Sequence, residues 1–185
     1  MKVKSERYTY GEKALTRSEY EKLVCVITDS QDELLIKMAV ATGLRREDLC
    51  DIETNNINLK DKTLTFYEAK KKKWRNIDLP DSVIMMIEKF YYTLDIKERA
   101  SRKKLFDFCG RTAYRHLNYW CNIASIPERP FHALRATCIK FAHNAGWTDE
   151  QISKLTGDKI ATVQEQYKMP GADEMREVVR LKPIV

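Results

Sequence analysis

The sequence predicts a mainly α-helical domain with one small three-stranded antiparallel sheet, an α+β arrangement. Three observations lead there. Two capping signatures, TRSE (16–19) and SQDE (30–33), each precede an apolar stripe at helical spacing. Between residues 52 and 79 the pattern changes to short β-forming runs separated by turn residues. From Pro80 onward helical spacing returns.

Taken in order, residues 1–14 are polar and aromatic without a period and read as an N-terminal tail, leaving 15–185 as one domain. Thr16 as N-cap and Glu19 three residues later open a helix with Leu23, Val24 and Ile27 on its inner face. A second helix, capped from Ser30, carries Leu34, Leu35, Met38 and Ala39 and stops near Gly43. INL, TLTFYEA and WRNIDL then read as three strands parted by KDK and a lysine-rich turn. Pro80 and Asp81 start a helix striped by Val83, Ile84, Ile87, Phe90 and Tyr91. Another spans 111–123 around Tyr114, Leu117, Trp120 and Cys121 until IPERP breaks it. His132 to Ala145 forms the next, Gly146 ends it, and TDEQ (148–151) caps a short successor reaching Leu155. After a turn at Gly157–Asp158, residues 160–168 are predicted helical, Pro170 and Gly171 interrupt, and 172–181 form an amphipathic last helix.

At 185 residues, a hydrophobic share of 43% and a charged share of 32% fit one soluble domain. No apolar run approaches the roughly 18 residues needed to cross a bilayer, and KVKSERYTY lacks a secretory signal's apolar core, so the expected location is the cytoplasm, beside the nucleoid, with no membrane partner. Five scattered cysteines without a CxxC pair argue against a disulfide framework or a zinc site and read as buried thiols. No His and carboxylate cluster has ligand spacing, which disfavours a metal-dependent nuclease. The net charge of +6 is bunched in KKKKWR (70–75) and KERASRKK (97–104), which suits a polyanion; on charge alone, a solvated lysine-rich loop suits it equally.

Singly, Arg45, His132 and Tyr167 are ordinary: a helix-end arginine, a helix-opening histidine and a tyrosine at core spacing. Their order is not ordinary. ATGLRREDL, a strand–turn–strand bearing a lysine, HALR, and LTGDKIATVQEQY together resemble the catalytic domain of the tyrosine recombinases, which include phage and archaeal-virus integrases and Xer-type resolvases. The resemblance runs from about Leu15 to the C-terminus and implies that family's catalytic-domain fold.

It also implies roles. Arg45 in TGLR matches the first catalytic arginine and Asp48 the acidic residue that supports it. Lys70, five residues before Arg75, matches the hairpin lysine, although Lys71, Lys72 and Lys73 blur the choice. His132 and Arg135 match the HxxR pair, and Tyr167 the nucleophile. Where the family commonly has Gly-His, this chain has Gly157–Asp158. An aspartate at neutral pH donates no hydrogen bond and repels phosphate, so Lys159, the next residue and a cation, is expected to take that place; an impaired or partner-dependent site is the alternative. Arg46, Lys71, Lys72, Lys73 and Arg75 are expected at the DNA backbone.

The chemistry asks for such residues. Two guanidinium forks match the non-bridging oxygens of a phosphodiester and stay charged. Positions i and i+3 put His132 and Arg135 on one helix face, and a histidine beside arginines is biased toward neutral. Tyr167, with a reference pKa of about 10, needs help to lose its proton, and a hairpin lysine can protonate the leaving 5′ oxygen. The implied activity is site-specific recombination through a covalent 3′-phosphotyrosyl link, with no metal or ATP and no cofactor. The implied partners are double-stranded DNA and three further copies in a synaptic tetramer, with 172–181 docking on a neighbour or on its own core. No counterpart of the family's separate N-terminal domain is evident. A type IB topoisomerase-like nicking-closing enzyme and a DNA-binding regulator on a decayed recombinase scaffold are the competing readings.

Overall fold

Helix α2 (Ser30–Thr42) is the axis of the molecule, apolar on nearly every side and therefore buried on nearly every side. In this computed structural model, which describes residues 13–167 and 179–181, it packs against α1 (Arg17–Val26), α3 (Arg46–Cys50), α4 (Asp81–Thr93), α6 (Gly110–Ile123) and α7 (His132–Asn144). Between α3 and α4 run β1 (Ile57–Asn58), β2 (Thr63–Glu68) and β3 (Lys73–Asp78); α5 (Ile96–Ser101) follows α4, and α8 (Asp149–Thr156) and α9 (Ile160–Tyr167) follow α7. The predicted tail to residue 12 and most of the predicted helix over 172–181 lie outside the described residues; 179–181 are helical. Among the described residues no helix is long and apolar enough to cross a membrane.

The mainly helical fold with a small sheet is as expected. The strands are antiparallel in the order β1-β2-β3, with Leu64 opposite Ile77 and Phe66 opposite Arg75 on the inner face, and Tyr67 opposite Trp74 outside. Capping behaves as the sequence indicates at Thr16 and Thr148, where both halves of each capping box form. At α2 the cap lies one residue earlier. Asp29, an ionised acceptor at the positive end of a helix dipole, takes the N–H groups of Gln31 and Asp32, which leaves Ser30 as the first helical residue. Asp32 points inward instead, accepting from Trp120 Nε1 and pairing with His116 Nδ1, both at 2.7 Å.

Two short helices, α3 and α5, were not expected, because five or six residues are too few to display a period. Ala14, assigned to the tail by its sequence, is buried, and Leu15 N–H donates to Thr137 Oγ1. Of the cysteines, Cys50, Cys121 and Cys138 are buried thiols, but Cys25 and Cys109 are exposed. A second apolar cluster of Ala14, Ala136, Ile139, Ile152 and Val163 clamps α9 against α7 and α8, which sets where the end of α9 emerges.

Candidate active site

The site begins with the unsatisfied end of α8. A helix leaves its last four carbonyls without intrahelical partners. Here Gly157, left-handed at φ 75°, returns its N–H to Ser153 O at 2.8 Å. Arg75, reaching from β3, donates to the carbonyls of Lys154 at 2.7 Å, Leu155 at 3.0 Å and Thr156 at 3.3 Å. Arg135 adds a bond to Thr156 O at 2.8 Å. The last four carbonyls of α8 are thus satisfied, three of them by a side chain about eighty residues away in sequence. Arg75, expected at the DNA backbone, is a helix cap whose guanidinium also lies over the Phe66 ring. Gly157 has to be glycine twice over, since a Cβ there would meet Arg75 Nη1 at 2.5 Å.

This cap holds Asp158 at the meeting point of two arginines. Arg135, in the first turn of α7 and only 2% exposed, anchors Nη1 on the carbonyl of Gly43, where α2 ends in its own left-handed glycine. Its Nε and Nη2 lie 3.1 and 2.7 Å from Asp158 Oδ2. Arg45, the residue that opens α3, sends Nη2 to Asp158 Oδ1 at 3.0 Å and Nη1 to Glu68 Oε1 at 2.5 Å. Two guanidinium groups ninety positions apart therefore hold opposite oxygens of one carboxylate, an anion with the two-oxygen face of a phosphodiester. Asp158, not Lys159, sits at the arginines. Their field draws in a carboxylate and would repel an ammonium, and Lys159 is exposed.

Behind the pair lies Glu68, the last residue of β2, its side chain fully buried. Arg45, Lys71 and Arg75 surround it, with Lys71 Nζ 3.5 Å from Oε1 and Arg75 Nη1 3.6 Å from Oε2. Glu68 escaped the sequence reading. Its signal was there, because the alternation of TLTFYE puts Glu68 on the face of Leu64 and Phe66, an acid aimed at the core just before a lysine run. Asp48, expected to support Arg45, accepts the Ala69 N–H at 3.2 Å and so holds the start of the hairpin turn, and it also feels the charge of Arg45; burial, the larger effect, pushes its carboxyl above the usual range.

The lysines divide. Lys70, Lys71, Lys72 and Lys73 are all exposed, and Lys71 reaches back to donate to the carbonyl of Gly157, beside the arginine pair. Arg46 pairs with Glu47 at 2.6 Å on the rim. His132, the first residue of α7, has its pKa lowered to about 4, first by burial and then by Arg135, so the ring is neutral at neutral pH as expected. A cleft of about 450 Å³ opens in front of Arg45 and Arg135, walled by Arg46, Tyr114, Phe131 and His132. Tyr167 is the last residue of α9, and its side chain lies outside the described part. Among the described residues no group of three or more His, Cys, Asp or Glu could hold a metal ion.

The chain is 26% identical over 164 residues to the tyrosine recombinase XerA of Saccharolobus solfataricus, covering 89% of this chain and 54% of that protein. It is 27% identical over 177 residues to XerA of Pyrococcus furiosus, covering 90% and 60%. The chain thus spans a little over half the length of these relatives. In fold it is similar to a crystal structure of XerA recombinase, with TM-score 0.75, 19% identity and coverage of 93% of this chain and 66% of that one. It is also similar to a lambda integrase dimer bound to a core site, with TM-score 0.70, 23% identity and coverage of 94% and 63%. The model of the phage integrase family matches residues 13–170, most of the chain, so the chain belongs to the phage integrase family.

Proposed function

We propose that this chain is the catalytic part of a site-specific DNA recombinase that cuts and rejoins DNA through a 3′-phosphotyrosyl link, without metal or ATP. The observation that supports it is the convergence of Arg45 and Arg135 on one small anion. In this reading the arginines hold the non-bridging oxygens of the scissile phosphate and stabilise the charge that builds there during attack. Glu68 and the carbonyls of Gly43 and Thr156 fix the two forks beforehand, so little reorganisation is needed at the moment of reaction.

The Tyr167 oxygen attacks phosphorus, the 5′ oxygen leaves, and the P–O bond moves from deoxyribose to phenol. His132, held neutral, accepts the phenolic proton or donates one hydrogen bond. A hairpin lysine protonates the leaving oxygen. Lys70 has the spacing for this task and Lys71 has the position, its ammonium beside Gly157. Because the link conserves bond energy, a second DNA end can reverse the step onto a new partner. Double-stranded DNA is the substrate, and a tetramer on two duplexes is the working assembly.

The test is covalent trapping. Incubated with pooled nicked duplexes of randomised sequence, the protein should yield an adduct that survives detergent, and Tyr167→Phe should abolish it while still shifting duplex DNA in a gel. Equal behaviour of the two proteins would support the regulator reading, which Asp158 in the phosphate seat favours. Recombinant joints from two marked duplexes separate strand exchange from simple nicking and closing. A 5′-bridging sulfur, which leaves without a proton, should restore trapping to whichever of Lys70→Ala and Lys71→Ala removes the acid.

A further inference from the structure

The donors of Arg45 and Arg135 fall into two sets. One set faces permanent acceptors: Arg45 Nη1 on Glu68, and Arg135 on the carbonyls of Gly43 and Thr156. The other set, Arg45 Nη2 with Arg135 Nε and Nη2, converges on Asp158. Each guanidinium thus keeps acceptors of its own apart from Asp158, and only Arg135 Nη2 serves both sets.

Asp158 itself is held by its backbone. Its N–H reaches Thr156 Oγ1 at 3.3 Å, and its C=O accepts from Ser153 Oγ at 2.6 Å. The side chain is 12% exposed, at the edge of the cradle. Turning the carboxylate out to solvent therefore requires rotation about side-chain bonds only, with the Gly157 turn and the α8 cap unchanged. Charge is conserved in such an exchange, because a phosphodiester and an aspartate each carry one negative charge.

We propose that Asp158 is an internal stand-in for the scissile phosphate, which fills the two-arginine cradle of the free protein and must rotate out before a DNA phosphate can enter. This rests on reading Arg45 and Arg135 as the phosphate clamp. The device adds a second carboxylate to the buried Arg135 and the half-buried Arg45 when no DNA is bound, which offsets the positive charge that Glu68 alone does not balance. It also makes the cradle selective. A phosphate enters only if it binds better than a tethered carboxylate, so contacts elsewhere along the DNA must help to drive the exchange. An apparent affinity is lowered by the fraction of time the competent state exists; a cradle open about one time in ten weakens anion binding roughly ten-fold.

The experiment compares the wild-type chain with Asp158→Asn, which keeps the shape and removes the charge, and with Asp158→Ala. Glu88→Gln, an exposed change on α4 with the same effect on net charge, is the control. The probe is dimethyl phosphate, titrated by chemical-shift changes at the arginine side chains; it carries the two non-bridging oxygens and none of the duplex. Both Asp158 variants should bind it roughly ten-fold more tightly than wild type, and Glu88→Gln should match wild type. Adduct formation on nicked duplex should rise in the same proportion. Binding by folded Asp158→Asn and Asp158→Ala that equals or falls below wild type would overturn the proposal, as would an equal gain in Glu88→Gln. Tighter binding of dimethyl phosphate with no adduct from any protein would uphold the exchange and count against the recombinase reading.

Discussion

The arginines and the lysines of this site carry the same charge and live under opposite conditions. Arg135 and Arg75 are nearly buried, each with several acceptors, at the ends of helices whose carbonyls need donors. Lys70, Lys72 and Lys73, a few residues from Arg75 along the hairpin, are exposed, and Lys72 stands at φ 50° where the chain turns back. The difference teaches how one sign of charge can do two jobs. A guanidinium locked by packing is a fixed positive charge, able to stabilise negative charge that builds in a transition state without rearranging. An exposed ammonium remains solvated and mobile, and contributes salt-sensitive affinity for a polyanion. Lys71, reaching in to Gly157, lies between the two classes.

The largest way to break the contrast is Arg135→Lys. An ammonium is a single point on a shorter stem and cannot reproduce the planar fork that spans Gly43 O, Thr156 O and an anion, so adduct formation should drop by on the order of a hundred- to a thousand-fold, measured by trapping on nicked duplex. Stability should fall by about 1–3 kcal/mol for each carbonyl left unsatisfied, measured by urea titration. Retained trapping would show that charge alone suffices there.

An intermediate effect belongs to His132. Its folded pKa of about 4 lies below the ordinary 6.5, so between those values the unfolded chain binds more protons than the folded one. The contribution of this depressed group is present above the unfolded pKa and is lost as pH falls through the window, at up to about 1.4 kcal/mol per pH unit. Urea midpoints of wild type and His132→Asn, compared across that window, should show wild type losing more stability on acidification. Parallel curves would place the titration elsewhere.

The smallest effect sharpens the contrast from the lysine side. Lys72→Ala and Lys73→Ala should leave stability within about 0.5 kcal/mol of wild type. Each should weaken duplex binding a few-fold and reduce the slope of log K against log salt by about one. A loss of trapping at saturating DNA would move that lysine into the first class.

Much of the fold was legible because its signals are local. The capping boxes at Thr16 and Thr148, the left-handed glycines at 43 and 157, and the alternation of β2 each lie within a few residues, and the structure repeats them. Where competing local acceptors sat side by side, as at Asp29 and Ser30, the stronger acceptor shifted the boundary. The misplacements at the site have a different origin. Arg75 was expected to face DNA and Lys159 to join the arginines, because sequence spacing says how far a side chain is from its neighbours in the chain and nothing of what it meets across the fold. Glu68, whose partners come from α3, from the hairpin and from β3, showed only its inward register in the TLTFYE alternation and nothing of those partners.

The amino-acid order by itself determined which segments coil, where they stop, which faces turn inward, and which residue types were present for phosphate chemistry. Those properties follow from backbone sterics, hydrogen-bond capping and hydrophobic periodicity, all of which act over one or two turns. Only the tertiary structure decided that the C-terminal ends of α2 and α8 meet the start of α7, so that their spare carbonyls lock Arg135 and Arg75. It decided likewise that the acid resting between Arg45 and Arg135 is Asp158. Charge pairing in a buried site depends on distances that packing sets between remote parts of the chain, and no local pattern encodes them.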